Sequence, residues 1–165
     1  MTDPNTLPPD KIITGEHLYN EAIHIVLASA QHELLIFDQD LSHGDFASSR
    51  RYELFRDFLA NHLNSRLVII LQDSSYFLHK CPRLFGLLKI YAHKMQVFVT
   101  NDTAKHAKDC FILADGAHYL RRFHIDQARF KYAFHDKTVA ESLNLRFNDL
   151  KEAIQNLVTV TPLGL

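Results

Sequence analysis

Hydrophobic and polar positions recur along the chain with two different periods, and each change of period marks an element. Between residues 15 and 31, Leu18, Ala22, Ile23, Val26, Leu27 and Ala30 fall at three- and four-residue steps against His17, Asn20, Glu21, His24 and Gln31. This spacing predicts a helix with one packed and one wet face, capped by Thr14. ELLIF at 33–37 is short, apolar on both faces and runs into the polar DQDLSHGD, which predicts a strand buried between layers that ends in a loop. Residues 50–64 return to helical spacing through Leu54, Phe55, Phe58, Leu59 and Leu63, and RLVIILQD at 66–73 is a second such strand. The stretch to Tyr91 is mostly helical, with a helix starting or breaking at Pro82, and MQVFVT at 95–100 is a third strand. Helices between such apolar strands predict parallel pairing, right-handed crossovers and helices on both faces.

Beyond residue 100 the rhythm changes. CFILAD at 110–115, HYLRRF at 118–123 and ARFKYAF at 128–134 are separated by short loops only, and Asp115-Gly116 is a turn signal, so antiparallel hairpins are expected. A last helix is expected over about 137–155, with Val139, Leu143, Phe147, Leu150 and Ile154 on one face. Residues 1–13 hold three prolines and no periodicity, and read as a flexible tail ahead of one domain over 14–165. The expected fold class is α/β, a mixed β-sheet sandwiched by helices.

Composition narrows the function classes. With 47 % hydrophobic residues in 165, the chain can bury a core, and no apolar run approaches the roughly 18 residues of a membrane helix, so no membrane partner is expected. MTDPNTLPPD lacks the features of a secretory signal. Cys81 and Cys110 are the only cysteines and form no CxxC; they read as reduced, packed thiols in a cytoplasmic protein. A net charge of -1 gives no chain-wide attraction to nucleic acid, which is admitted as a partner but not favoured. Charge is uneven, however: residues 1–40 carry a net of -6 and residues 41–100 a net of +4, so the middle of the chain could host an anion.

In open α/β sheets ligands bind beyond the carboxyl ends of the parallel strands. The three apolar strands deliver Asp38 and Asp40, then Gln72, Asp73, Ser74 and Ser75, then Thr100 and Asn101 to that rim. If the next strand is antiparallel, its beginning brings Lys105, His106, Lys108 and Asp109 to the same place. His106-Ala107-Lys108, read as extended chain, presents an imidazole beside an ammonium, a pairing suited to phosphate. His79, near Lys80, Cys81 and Arg83, lies after the second strand, where it joins the crevice or, more commonly, takes a surface or capping role. Arg121 and Arg122 alternate across a strand, so one faces the crevice; pairing with Asp38 or Asp40 is the structural alternative. Phe123, Phe130, Tyr132 and Phe134 form either a stacking platform for bases or, more commonly, a buried sheet face. His17, Glu21 and His24 share a wet helical face and supply only three ligands, so no metal site is expected. No glycine-rich phosphate loop or nucleophile elbow is present, and no cofactor is expected.

Taken in order, LASAQHELLIFDQDL, the two α/β units after it, HAK leading into CFILADG, and VAESLNLRFNDL resemble one half of a phospholipase D-like domain. The resemblance spans nearly the whole chain and is similar to poorly characterised bacterial domains that occur alone or appended to acetyltransferases. It implies a phospholipase D-like half domain, homodimerisation to pair two sites, and an H-x-K, four residues, D signature acting through a phosphohistidine. On that pattern the catalytic candidates are His106, Lys108 and Asp115. The spacing departs from it: counting from His106 the Asp place holds Leu113, and counting back from Asp115 the His and Lys places hold Lys108 and Cys110. Only a two-residue bulge would recover the triad. Tyr119-Leu120-Arg121-Arg122 replaces the family's small residues. The broken spacing implies a degenerate, non-catalytic member that keeps a polar crevice around Asp40, His106, Lys108 and Arg121; with Asp73 and His79 from the strand-end reading, the ligand-binding candidates for a phosphate-containing or other anionic ligand are Asp40, Asp73, His79 and Arg121. The alternative is a homodimeric phosphodiesterase or nuclease using His106 from each chain.

Overall fold

The computed structural model describes residues 7–101, 104 and 106–160. In chain order the elements are β1 (Ile13–Thr14), α1 (Glu16–Ser29), β2 (Glu33–Asp38), α2 (Ser49–Asn61), β3 (Arg66–Leu71), α3 (Ser75–Lys80), α4 (Pro82–Ile90), β4 (Met95–Thr100), β5 (Cys110–Ala114), β6 (His118–His124), β7 (Gln127–Ala133), α5 (Lys137–Glu152) and β8 (Ile154–Val158). The strands form one sheet in the order β1-β7-β6-β5-β2-β3-β4-β8. The pairs β2–β3 and β3–β4 are parallel, while β5 runs antiparallel to β2 and begins a meander through β6 and β7.

The unbroken apolar runs follow from burial on both sides. In β2, Leu34 and Ile36 enter one core and Leu35 and Phe37 the other; β3 divides in the same way, with Leu67, Ile69 and Leu71 opposite Val68 and Ile70. Helices α1, α2 and α4 cover the first core with Ile23, Val26, Phe55, Leu59, Leu84 and Leu87. The second core is covered by α5 through Ala140, Leu143, Phe147 and Leu150. Both crossover units thus put their helices on the α1 side, and the final helix closes the other.

Several boundaries differ from the sequence reading. Helix α1 begins after Gly15, which has no capping side chain, because Thr14 is drawn into β1 against Arg129. The last segment of the expected tail is likewise held to β7: Ile13 pairs with Phe130, and the Asp10 amide donates to the Tyr132 carbonyl at 2.9 Å. The final helix stops at Glu152, and Ile154, expected on its apolar face, opens β8, which pairs antiparallel with β4 and shields that edge. Phe130 and Tyr132 are buried, so their row is a core face rather than a stacking platform. Both cysteines are free and buried.

The turn from β5 to β6 meets expectation. Asp115 (φ 55) and Gly116 (φ 64) are both left-handed, as the mirror-image hairpin turn requires. The Asp115 carboxylate also accepts the backbone N–H groups of Gln31, His32 and Glu33 at 3.0, 2.8 and 2.9 Å, tying the hairpin to the start of β2. Removing an acceptor that serves three amides costs about 1–3 kcal/mol. Asp115→Ala should lower unfolding stability by that amount in urea titration, with Asp115→Asn intermediate; an unchanged midpoint would contradict this anchoring role.

Candidate functional site

Strand β5 determines what reaches the crevice. Its residues pair one for one with β6 (Cys110↔Arg122, Phe111↔Arg121, Ile112↔Leu120) and with β2 (Phe37↔Phe111, Ile36↔Ile112), with no register shift. The two-residue bulge that would recover the signature spacing is therefore not present in β5. Cys110 lies at the rim beside the end of β2, and Asp115 follows the strand at its opposite end, five residue steps or about 17 Å away.

His106 and Lys108 lie before the strand. The extended HAK segment is corrected to a turn that includes Ala104 and His106: Gln72 Nε2 donates to the Ala104 and Ala107 carbonyls at 3.2 and 2.8 Å and holds it down. The β2–β5 ladder runs from Phe111 to Ala114 and β2 ends at Asp38, so it does not reach residues 106–108; the Lys108 carbonyl instead accepts from the Ile125 amide at 2.7 Å. Both His106 and Lys108 are exposed, while Ala107 packs against the α5-side core. Lys105 lies outside the described residues.

Asp40, Asp73 and His79 are brought together. With Ser75, Tyr76 and Lys80 they line a cavity of about 300 Å³ beyond β2 and β3, as the crevice argument requires. Asp40 accepts from the Ser42 amide and hydroxyl at 2.9 and 2.6 Å, and Asp73 from the Ser75 amide at 2.7 Å, so each carboxylate shapes its own loop. Two acids make this cavity a poor anion receptor.

Arg121 is elsewhere, on the α5 face. Its Nε donates to Asp109 Oδ2 at 3.0 Å, and Arg146 from α5 donates both terminal nitrogens to the same carboxylate. Asp109 is 7 % exposed, against 40 % for Arg121 and 34 % for Arg146. Burial alone would raise the Asp109 pKa, but the hydrogen bonds and charge of Arg146, then Arg121, outweigh it and hold the carboxyl below its ordinary value. The guanidiniums rest on aromatic rings, Arg121 5.4 Å from Phe123 and Arg146 5.7 and 5.6 Å from Phe37 and Phe111. Both line a cavity of about 450 Å³ with Thr138, Val139, Ser142 and Leu143. Sequence reasoning missed Arg146; its place beside Phe147, three residues after Leu143, puts it at the edge of the apolar stripe and was the available signal.

Arg122 points to the α1 face, buried beneath Tyr19 with its guanidinium 4.8 Å from the ring, and donates to both Glu16 oxygens at 2.9 and 2.7 Å. Neither arginine takes the expected Asp38 or Asp40 partner. The Cys110 thiol lies 3.3 Å from the Tyr19 hydroxyl, and burial pushes it well above its ordinary value. On the wet face of α1, Arg50 bonds Glu21 at 2.9 and 2.8 Å and His24 at 3.1 Å; no group of three metal-binding side chains occurs among the described residues. No helix among them is long and apolar enough to cross a membrane.

A family model described as a domain of unknown function, DUF7931, matches residues 16–157. The chain belongs to this family. Among curated proteins nothing matches the chain. Solved structures do. Nuc from Salmonella typhimurium, a phospholipase D family member, has a TM-score of 0.65 at 9 % identity, covering 91 % of this chain and 99 % of Nuc. NucT from Helicobacter pylori has a TM-score of 0.58 at 12 % identity, covering 87 % and 96 %. TrmBL2, an archaeal chromatin protein described as showing a novel mode of DNA binding, has a TM-score of 0.62 at 15 % identity, covering 88 % of this chain and 53 % of its own, so the DUF7931 chain spans about half of TrmBL2. The DUF7931 domain thus has a phospholipase D-like fold.

Asp38 is the titratable group at the rim with the strongest consequence. Burial, opposed by the Gln39 backbone bond and reinforced by Asp40, raises its pKa to about 7. The folded state then keeps a proton that the unfolded chain releases above about pH 4, so stability falls as pH rises from about 4 to about 7, by a few kcal/mol. Asp38→Asn should match the parent at pH 4 and exceed it at pH 8 by about 2 kcal/mol or more in urea titration; an equal difference at both pH values would contradict the buried, protonated carboxyl.

Proposed function

We propose that this DUF7931 domain is a non-catalytic phospholipase D-like module that binds a phosphate-containing or other anionic ligand, acting as a homodimer in the cytoplasm. The observation that carries the reading is the unbroken pairing of β5 from Cys110 to Ala114. With that register, the strand position nearest the rim holds a buried thiol bonded to Tyr19, His106 and Lys108 are exposed ahead of it, and Asp115 serves three backbone amides at the far end. A nucleophilic imidazole needs a base or acid within about 3 Å and an orienting carboxylate. His106 is instead exposed.

Anion binding is supported by Arg121 and Arg146, two half-exposed guanidiniums sharing one carboxylate beside a cavity. A small ligand is favoured over nucleic acid, which TrmBL2 is described as binding, because a net charge of -1 supplies no chain-wide attraction to a polyphosphate. Two free buried thiols accord with a reducing compartment.

The test is turnover of a chromogenic phosphodiester by the purified chain and by His106→Ala. The expected result is no hydrolysis above background by either protein. Hydrolysis by the parent that His106→Ala abolishes would overturn the reading in favour of a homodimeric phosphodiesterase using His106 from each chain.

A further inference from the structure

Arg146 spends both terminal nitrogens on Asp109, whereas Arg121 spends only Nε. The two terminal nitrogens of Arg121 have no partner among the described residues, and the side chain is 40 % exposed beside the cavity. A guanidinium held by Nε and by a ring under its plane is oriented before any ligand arrives, and its free edge is a two-pronged donor that matches an oxyanion.

The rest of the cavity distinguishes among oxyanions. Thr138 and Ser142, one turn apart on α5, bring hydroxyls from a different element than the β6 arginine. A planar carboxylate has two oxygens, which the arginine edge alone can occupy. A phosphate monoester has three terminal oxygens, enough for the arginine edge and for hydroxyl donors as well. Val139 and Leu143 give the cavity an apolar wall for the organic part of an ester, and about 450 Å³ admits a small metabolite rather than a polymer segment. Two arginines and one carboxylate leave a net positive charge of one to meet the anion.

We propose that the cleft between β6 and α5 is a phosphomonoester site, with Arg121 as the phosphate-binding residue, Ser142 and Thr138 as hydroxyl donors, and the Asp109–Arg146 pair positioning Arg121. This rests on the anion-binding reading above and assigns it to the sheet face opposite Cys110 and Arg122. The ligand class is a small phosphorylated metabolite.

The test is calorimetric titration of the full chain with glycerol 3-phosphate, inorganic phosphate and acetate, alongside Arg121→Gln, Ser142→Ala and Lys108→Ala. Arg121→Gln leaves Asp109 paired with Arg146, and an unchanged urea midpoint would verify that its fold is kept. Expected are saturable binding of glycerol 3-phosphate, binding of acetate at least tenfold weaker, a rise in Kd of at least tenfold in Arg121→Gln and of severalfold in Ser142→Ala, and no change in Lys108→Ala. Phosphate binding that persists in Arg121→Gln but is lost in Lys108→Ala would overturn this site while leaving the anion-binding reading intact. Acetate binding as tightly as glycerol 3-phosphate would overturn the ligand class. Binding of none of the three probes would overturn both the site and the anion-binding reading. If Arg121→Gln does not fold, Arg121→Lys, which keeps the charge and loses the two-pronged edge, is expected to raise Kd severalfold, and an unchanged Kd would overturn the role of Arg121.

Discussion

Everything at the rim depends on the pairing of β5, which is hydrogen-bonded to β2 on one side and β6 on the other. A central strand paired on both sides has no freedom to slip, because moving by one residue would send its core residues to the opposite face. Cys110, Ile112 and Ala114 are committed to the α1 side, and Phe111 and Leu113 to the α5 side. Through the ladder, β6 inherits the same commitment, which is why two adjacent arginines separate to opposite faces of the sheet.

Each arginine then meets a carboxylate from a different part of the chain. Arg122 enters an apolar layer where an unpaired charge would be expensive, and Glu16 at the start of α1 neutralises it across 106 residues of sequence. Arg121 meets Asp109, just ahead of β5, and α5 contributes Arg146 to the same carboxylate. One cluster is closed and structural. The other has more donors than acceptors and borders a cavity, and that imbalance gives the α5 face its chemical character.

Much of the architecture was legible because burial on both faces leaves a plain signature. LLIF after Glu33, LVIIL after Arg66 and CFILA are apolar without alternation, and each lies in a strand between two cores. The Asp115-Gly116 turn was legible because few residues accept two successive left-handed conformations. β8 was not: Ile154 continues the four-residue spacing of α5, so helical periodicity alone carried the expected helix past its end, and only the open edge of β4 explains the switch. At the site, Asp40, Asp73 and His79 were legible from strand ends, since the chain must pass through the rim there. The partners of Arg121 and Arg122 were not, because ion pairing between elements depends on register and on which face a side chain takes. Arg146 shares a helix face with core residues and reads as its solvated margin until the sheet supplies Asp109.

The most direct measurement is amide hydrogen exchange across residues 106–115, resolved by residue. The account predicts strong protection for the β5 amides from Phe111 to Ala114, close to that of β2, and rapid exchange for His106 and Lys108. Protection extending unbroken from His106 into the strand, or an unprotected interruption between Cys110 and Ala114, would mean that β5 is longer or bulged, and the separation of His106 from Asp115 would no longer hold.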